Sequence, residues 1–244
     1  MRITILSLNI WNYRGEWTAR RERIARVIRE VGADVVGLQE VRRDPRYARG
    51  VDQATQLARL SGLRHVYAPA MRYWRWPRIE EGLAILTPHT ILGHTAIPLR
   101  WDPTDRADPN RRIVLHATLA LPGSPMLDCW VTHLNQRPPM RDASAAALGD
   151  AVRASAAPLL MGDFNACPES ATIRAFQSSG LRDMWGAAHP DDPGFTYPAE
   201  APVEHIDYLF AGQGWVVERM ERIGIGSRAF SDHCGLLAVV SLTQ

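Results

Sequence analysis

The sequence predicts an α/β protein with a β-rich core, and three observations carry that reading. Short apolar runs bounded by turn residues recur along the chain. A few longer stretches show helical amphipathicity. At 46% apolar and 22% charged, the 244 residues can bury a sizeable core. β-rich folds of this length often form one domain, so one domain over residues 1–244 is expected.

The elements follow in order. Residues 3–8 are apolar on both faces apart from Thr4 and Ser7, the pattern of a buried strand. Residues 16–31 place Trp17, Ile24, Val27, Ile28 and Val31 on one side and arginines elsewhere, an amphipathic helix that Gly32 ends. A second strand is expected at 34–38. Helices are expected at 52–60 and 143–156, with Ser61-Gly62 and Pro158 as stops. Further strands are expected at 83–86, 113–121, 127–133, 158–162, 206–210 and 235–241. The string Pro122-Gly123-Ser124-Pro125 reads as a hairpin turn between two of them. Long polar loops at 42–50, 100–112 and 186–204 are of a length that usually serves function.

Composition excludes little but constrains interpretation. All 28 basic residues are Arg, and the formal net charge of +2 is too small to argue for nucleic acid by itself. An Arg at any one position is therefore weak evidence of phosphate recognition. Three cysteines without metal-site spacing fit a reducing compartment. The opening MRITILSLNI is too short to span a bilayer and has no signal-cleavage pattern, so a cytoplasmic location without a transmembrane segment is expected.

Polar residues gather at the strand ends. Asn9, Glu40, His133 and Asp163 follow the C-terminal ends of predicted strands, whereas Glu81, Asp207 and Asp232-His233 precede N-terminal ends. Antiparallel neighbours put such ends side by side, so one rim could hold them all. Each residue alone has an ordinary reading as a turn residue, a cap, a surface charge or a half-buried histidine. Together, the ordinary readings require seven coincidences at one edge. Crowded carboxylates need a cation, and a mostly oxygen donor set suits Mg²⁺ or Mn²⁺. The imidazoles would be free for proton transfer or phosphate contact.

The strings Leu38-Gln39-Glu40-Val41, Thr132-His133-Leu134, Met161-Gly162-Asp163-Phe164-Asn165, His205-Ile206-Asp207-Tyr208-Leu209 and Ser231-Asp232-His233 occur in that order. The sequence, from residue 3 to about 240, resembles the endonuclease/exonuclease/phosphatase superfamily, with the deoxyribonuclease I fold. The resemblance implies a four-layer α/β sandwich, two packed mixed β-sheets flanked by helices, and a divalent-metal-dependent hydrolase of phosphoester bonds acting by in-line attack of water. It assigns Glu40, Asn9 and Asp232 to the metal side. Asp163 would orient or deprotonate the water, Asn165 would contact phosphate, and Asp207 would orient His233. His133 would be the second histidine, with Glu81 as its partner. Which of Asp163 and His233 takes the proton stays open.

The chain departs from abasic-site endonucleases after Asn9, where Trp11-Asn12-Tyr13 follows. A nucleic-acid backbone remains an alternative substrate, and a non-catalytic binding module on the same fold is a weaker one. The stretch Arg72-Tyr73-Trp74-Arg75-Trp76-Pro77-Arg78 could stack bases and hold phosphates, or could pack as an ordinary loop. Finally, if 113–121 and 127–133 pair, Arg111 and Arg112 start beside His133, and one of them should face the substrate phosphate.

Overall fold

The computed structural model describes residues 1–73, 78–123, 126–155 and 157–243. Two six-stranded mixed sheets pack face to face. The first has the order β11 (Trp215–Ile223), β12 (Gly235–Leu242), β1 (Arg2–Asn9), β2 (Val35–Arg43), β4 (Ile79–Thr87), β3 (Arg64–Tyr73). The second has the order β5 (Thr90–Pro98), β6 (Ile113–Ala120), β7 (Leu127–His133), β8 (Leu159–Asp163), β10 (Asp207–Ala211), β9 (Arg182–Asp183). Helices α1 (Trp17–Glu30) and α2 (Gln53–Ser61) cover the outside of the first sheet. Helices α3 (Pro138–Arg153) and α4 (Ala171–Ser178) cover the second, and a short α5 (Met184–Ala188) lies against β10 and β11. This is the expected four-layer α/β sandwich.

Alternation along the strands builds three apolar layers. Ile3 and Ile5 of β1 point between the sheets, where they join Leu115, Val131 and Met161; Leu6 and Leu8 point outward to Ile24 and Ile28 of α1. Across the molecule, Leu160 and Phe210 meet Leu148 of α3 and Phe176 of α4. Each such buried side chain contributes about 1.5–3 kcal/mol of transfer free energy. Cys129 and Cys234 are buried and Cys167 is exposed, all as free thiols. Among the described residues, no helix is long and apolar enough to cross a membrane.

The eight strands expected from the sequence are present with shifted ends. The second runs through Arg43 and so contains Glu40, which the sequence placed just beyond it. Helix α3 starts at Pro138 and ends at Arg153, earlier than expected at both ends, because Pro138 suits a first helical turn. Strands β3, β5, β9 and β11 and helices α4 and α5 were not anticipated. Of the proposed hairpin turn, Ser124 and Pro125 lie outside the described residues, as do Trp74, Arg75, Trp76 and Pro77 of the aromatic-cationic stretch. β6 and β7 do pair antiparallel, with Val114 opposite Thr132.

Two parallel pairs set the rim. Helix α1 connects β1 to the parallel β2, and α3 connects β7 to the parallel β8. His133 ends β7 opposite Asp163 at the end of β8, and Asp207 begins the antiparallel β10 opposite Asp163. Gly162 permits this arrangement. It has φ +146°, and a Cβ there would run into the Thr132 carbonyl oxygen. We expect Gly162→Ala to destabilise the fold by about 3 kcal/mol or more, through backbone strain and a blocked strand contact. Urea denaturation checks this, and an unchanged midpoint would show that β7 and β8 can part at no cost.

Candidate active site

Glu40 reaches the site by an irregularity. The β2–β4 register shifts between Leu38 and Val41, and Glu40 sits in that bulge with φ 55°. Bulges re-aim a side chain at a local cost, and such strain clusters at functional positions. The carboxylate meets two amides: Asn12 Nδ2 donates to Oε2 at 2.9 Å and Asn9 Nδ2 to Oε1 at 3.4 Å.

Asn9 differs from the sequence expectation. Its amide oxygen accepts from the Trp11 backbone N–H at 3.0 Å, which turns its NH₂ toward Glu40 and toward Asp163 Oδ2 at 3.1 Å. In this arrangement Asn9 bridges two carboxylates as a donor and does not present its oxygen beside Glu40 as a metal ligand would.

Asp163 is the centre of the rim. It is buried, and the N–H of Asn165 donates to its Oδ1 at 2.9 Å. Around Oδ2 stand Asn9, His133 Nε2 at 3.5 Å and His233 Nε2 at 3.8 Å. Burial pushes the Asp163 carboxyl above its usual range; His233 opposes this, Asp207 adds to it, and the Asn165 and Asn9 donors pull it back. Asn165 has φ 49° and gives one amide N–H to the Leu134 carbonyl at 3.0 Å.

The two imidazoles are shifted in opposite directions. Burial, Arg112 and His233 together hold His133 well below the ordinary imidazole range, so it is neutral. Burial also acts against charge on His233, yet the Asp207 carboxylate with its hydrogen bond, followed by Asp163 and Asp232, overcomes this and raises it to about 10. The His233 Nδ1–H donates to Asp207 Oδ2 at 2.9 Å. The Thr196 hydroxyl donates to the same oxygen at 2.6 Å, and the Tyr197 ring lies 4.8 Å from the imidazole. Asp232 is half-buried beside Ser231, whose hydroxyl donates to it at 3.2 Å and to the Asn9 carbonyl at 2.6 Å. Burial raises the Asp232 carboxyl.

A narrow cleft opens beside His133, lined by Glu40, Met71, Glu81, Arg111, Arg112 and His133. Glu81 was expected to partner His133. Instead it accepts from Arg42 Nε at 3.0 Å and Nη2 at 2.6 Å, because β2 and β4 set those two residues opposite each other. The cleft also distinguishes the arginine pair. Arg112 is buried, and among the described residues its Nε has no hydrogen-bond partner, whereas Arg111 is exposed and stacks 4.2 Å from the Trp101 ring centroid.

The rim therefore brings together Asn9, Glu40, Asp163, Asn165, His133, Asp207, Asp232 and His233, with Glu81, Arg111 and Arg112 in the adjoining cleft. Sequence reasoning missed Asn12, Arg42 and Thr196. Thr196 lies in the 186–204 loop, whose length was the one available signal.

On the Glu40 side the oxygen donor open to a hard cation is a strained, half-buried carboxylate, to which Asn9 and Asn12 donate N–H groups, and Asp232 and Glu40 both act on the Arg20 guanidinium. Asp163, Asp207 and His233 also present ligand atoms within 4.8 Å of one another. Within that second cluster Asp207 Oδ2 already accepts from Thr196 and from His233 Nδ1.

The sequence matches the model described as "Endonuclease/Exonuclease/phosphatase family" over residues 6–233. No curated protein matches it. Among solved structures, the fold is similar to an endonuclease/exonuclease/phosphatase family protein from Leptotrichia buccalis C-1013-b, at 20% identity and TM-score 0.81, covering 98% of this chain and 100% of that one. It is similar to the human Nocturnin catalytic domain, solved with a bound sulfate anion, at 21% identity and TM-score 0.76, covering 99% and 95%. It is also similar to the mannosyl-6-phosphatase of Bacteroides thetaiotaomicron VPI-5482, at 17% identity and TM-score 0.76, covering 98% and 100%. At these identities the likeness is one of fold.

Proposed function

Since the chain belongs to the endonuclease/exonuclease/phosphatase family, we propose that it is a hydrolase of phosphoester bonds that depends on a divalent cation, Mg²⁺ or Mn²⁺. The observation that carries this reading is the setting of Asp163. A buried carboxylate stands between a neutral and a charged imidazole, one amide away from the strained Glu40.

Glu40 would hold the cation, with Asp232 on the same side and Asn9 and Asn12 steering the Glu40 carboxylate. When bound, the cation supplies positive charge to the non-bridging phosphate oxygens. Asp163 accepts the proton of the attacking water and orients it in line with the leaving group. The Asp207 hydrogen bond, with the raised His233 imidazole it accompanies, supports Asp163 over His233 in this role. His233 then offers its Nε2–H to charge developing on the phosphate, the type of contact that contributes most to such reactions. Asn165 keeps a second amide N–H for the phosphate.

A nucleic-acid backbone is the second reading. Arg43, Arg72 and Arg78 converge on the single carboxylate of Glu80 at 3.6, 2.9 and 3.8 Å, which leaves surplus positive charge on β4 next to the cleft residue Glu81 in sequence, on the opposite face of the strand. The similar folds include both a mannosyl-6-phosphatase and the Nocturnin catalytic domain, and fold alone does not choose a substrate. A hydrolysis screen with Mg²⁺ and Mn²⁺ tests the proposal, using plasmid DNA, abasic DNA, nucleotides, inositol phosphates and sphingomyelin. We expect turnover of at least one class. Failure on every phosphoester with either cation would leave a non-catalytic module as the better account.

Arg112 is the phosphate contact we expect from the cleft. Arg112→Ala should raise KM by about 10–100-fold, the worth of one charge-assisted hydrogen bond. Arg111→Ala should change KM only a few-fold, and less at high salt, where exposed attraction is screened. Equal effects of the two variants would contradict this division.

A further inference from the structure

Helix α1 carries a guanidinium that does not serve the surface. Arg20 is buried, and its fork donates to four backbone carbonyls. Nε reaches Phe230 at 2.8 Å, one terminal nitrogen reaches Asn12 at 3.4 Å and also Arg14, and the other reaches Ile10. The Trp11 and Trp17 rings lie 5.3 and 5.5 Å from its Cζ. Three of those carbonyls belong to the loop that leaves β1 at Asn9. The fourth immediately precedes Ser231-Asp232-His233. One side chain thus ties together the two segments that end on the rim.

The loop needs such a tie. Trp11 and Asn12 have φ 54° and 36°, left-handed values that favour glycine and strain other residues. What this conformation achieves is the Asn12 amide on Glu40 Oε2 at 2.9 Å. The Asn12 carbonyl is held from a second side by Gln53 Nε2 at 2.8 Å. Lysine could not replace this fork, since its donors diverge from a single point.

We propose that Arg20 is a positioning residue for the cation site: it holds the 10–14 loop in the conformation that places the Asn12 amide on Glu40, and so fixes that carboxylate. This rests on the reading of Glu40 as a cation ligand. Loss of a group that orients a ligand typically weakens metal binding by about 10–100-fold.

The test is a Mn²⁺ titration without substrate, followed by electron paramagnetic resonance. It compares wild type, Asn12→Ala, Arg20→Lys and the double variant. We expect each single variant to weaken Mn²⁺ binding by about 10–100-fold. At saturating Mn²⁺ the substrate KM should stay near that of wild type. The double variant should be little worse than the weaker single one, because both changes act on the same carboxylate. If wild type binds no Mn²⁺, the cation reading itself fails. If wild type binds and Asn12→Ala binds equally well, only the positioning role is overturned. That outcome decides the matter even should Arg20→Lys not fold, since Asn12→Ala leaves the fork in place. Losses that multiply in the double variant would also overturn it.

Discussion

Asp163→Asn and His233→Ala are each expected to lower kcat by at least about 10²–10³-fold, the usual result of removing a positioned group that meets developing charge. The Asp163 variant should be the worse, since it loses both the proton acceptor and the oxygen that faces Asn9, His133 and His233. The double variant should fall far short of the product of the two losses, because the groups act on one another.

Stability should move the other way for Asp163→Asn in metal-free protein. The folded-state pKa of Asp163 lies above its unfolded value near 3.9. Its contribution to stability is therefore complete below that value and is lost as pH rises through the folded pKa. Near neutral pH a neutral amide removes that loss, so the melting temperature should hold or rise while turnover collapses. Asp207→Asn adds a pH signature. It removes the partner that keeps His233 charged up to about 10, so the alkaline limb of kcat/KM should shift to lower pH. Wild-type turnover in either single variant would mean that the chemistry belongs to other groups.

Glu40→Gln is the second large effect. The substitution keeps size and shape but removes the charge that would hold the cation. It leaves the bulge and its φ of 55° unrelieved. Activity at limiting Mg²⁺ should fall by on the order of 10²-fold or more, with partial recovery at high Mg²⁺ if Asp232 still binds. The change should appear in the Mg²⁺ concentration for half-maximal rate more than in substrate KM. A Glu40→Gln enzyme with an unaltered Mg²⁺ dependence would move the cation elsewhere, first to the Asp163, Asp207 and His233 cluster.

The legible part of the fold was its interior. All eight strands expected from the sequence lie inside the two sheets, and the four that escaped, β3, β5, β9 and β11, are the four sheet edges. Interior strands are covered on both faces and read as apolar runs, such as residues 3–8. Strand β5 is exposed almost throughout, and β9 has only two residues, so neither leaves such a run. The site was legible where a polar residue ends an apolar strand, as with His133 and Asp163. It was not legible where a partner is chosen by register. Glu81 was matched to His133 because nothing in the sequence shows that β2 sets Arg42 against it. Thr196 meets a carboxylate across a loop, Arg20 meets the Phe230 carbonyl far along the chain, and Arg20 is one of five arginines in its helical segment.

On the proposed reading, this rim hydrolyses phosphoesters with a cation held at Glu40. Its most direct test is to strip wild-type protein with a chelator, measure hydrolysis of the substrate found in the screen, and then restore Mg²⁺ or Mn²⁺. We expect no turnover in chelator, full recovery with either cation in wild type, and little recovery in Glu40→Gln at the same concentration. Full activity in excess chelator, with no tightly held metal in the protein, would contradict it.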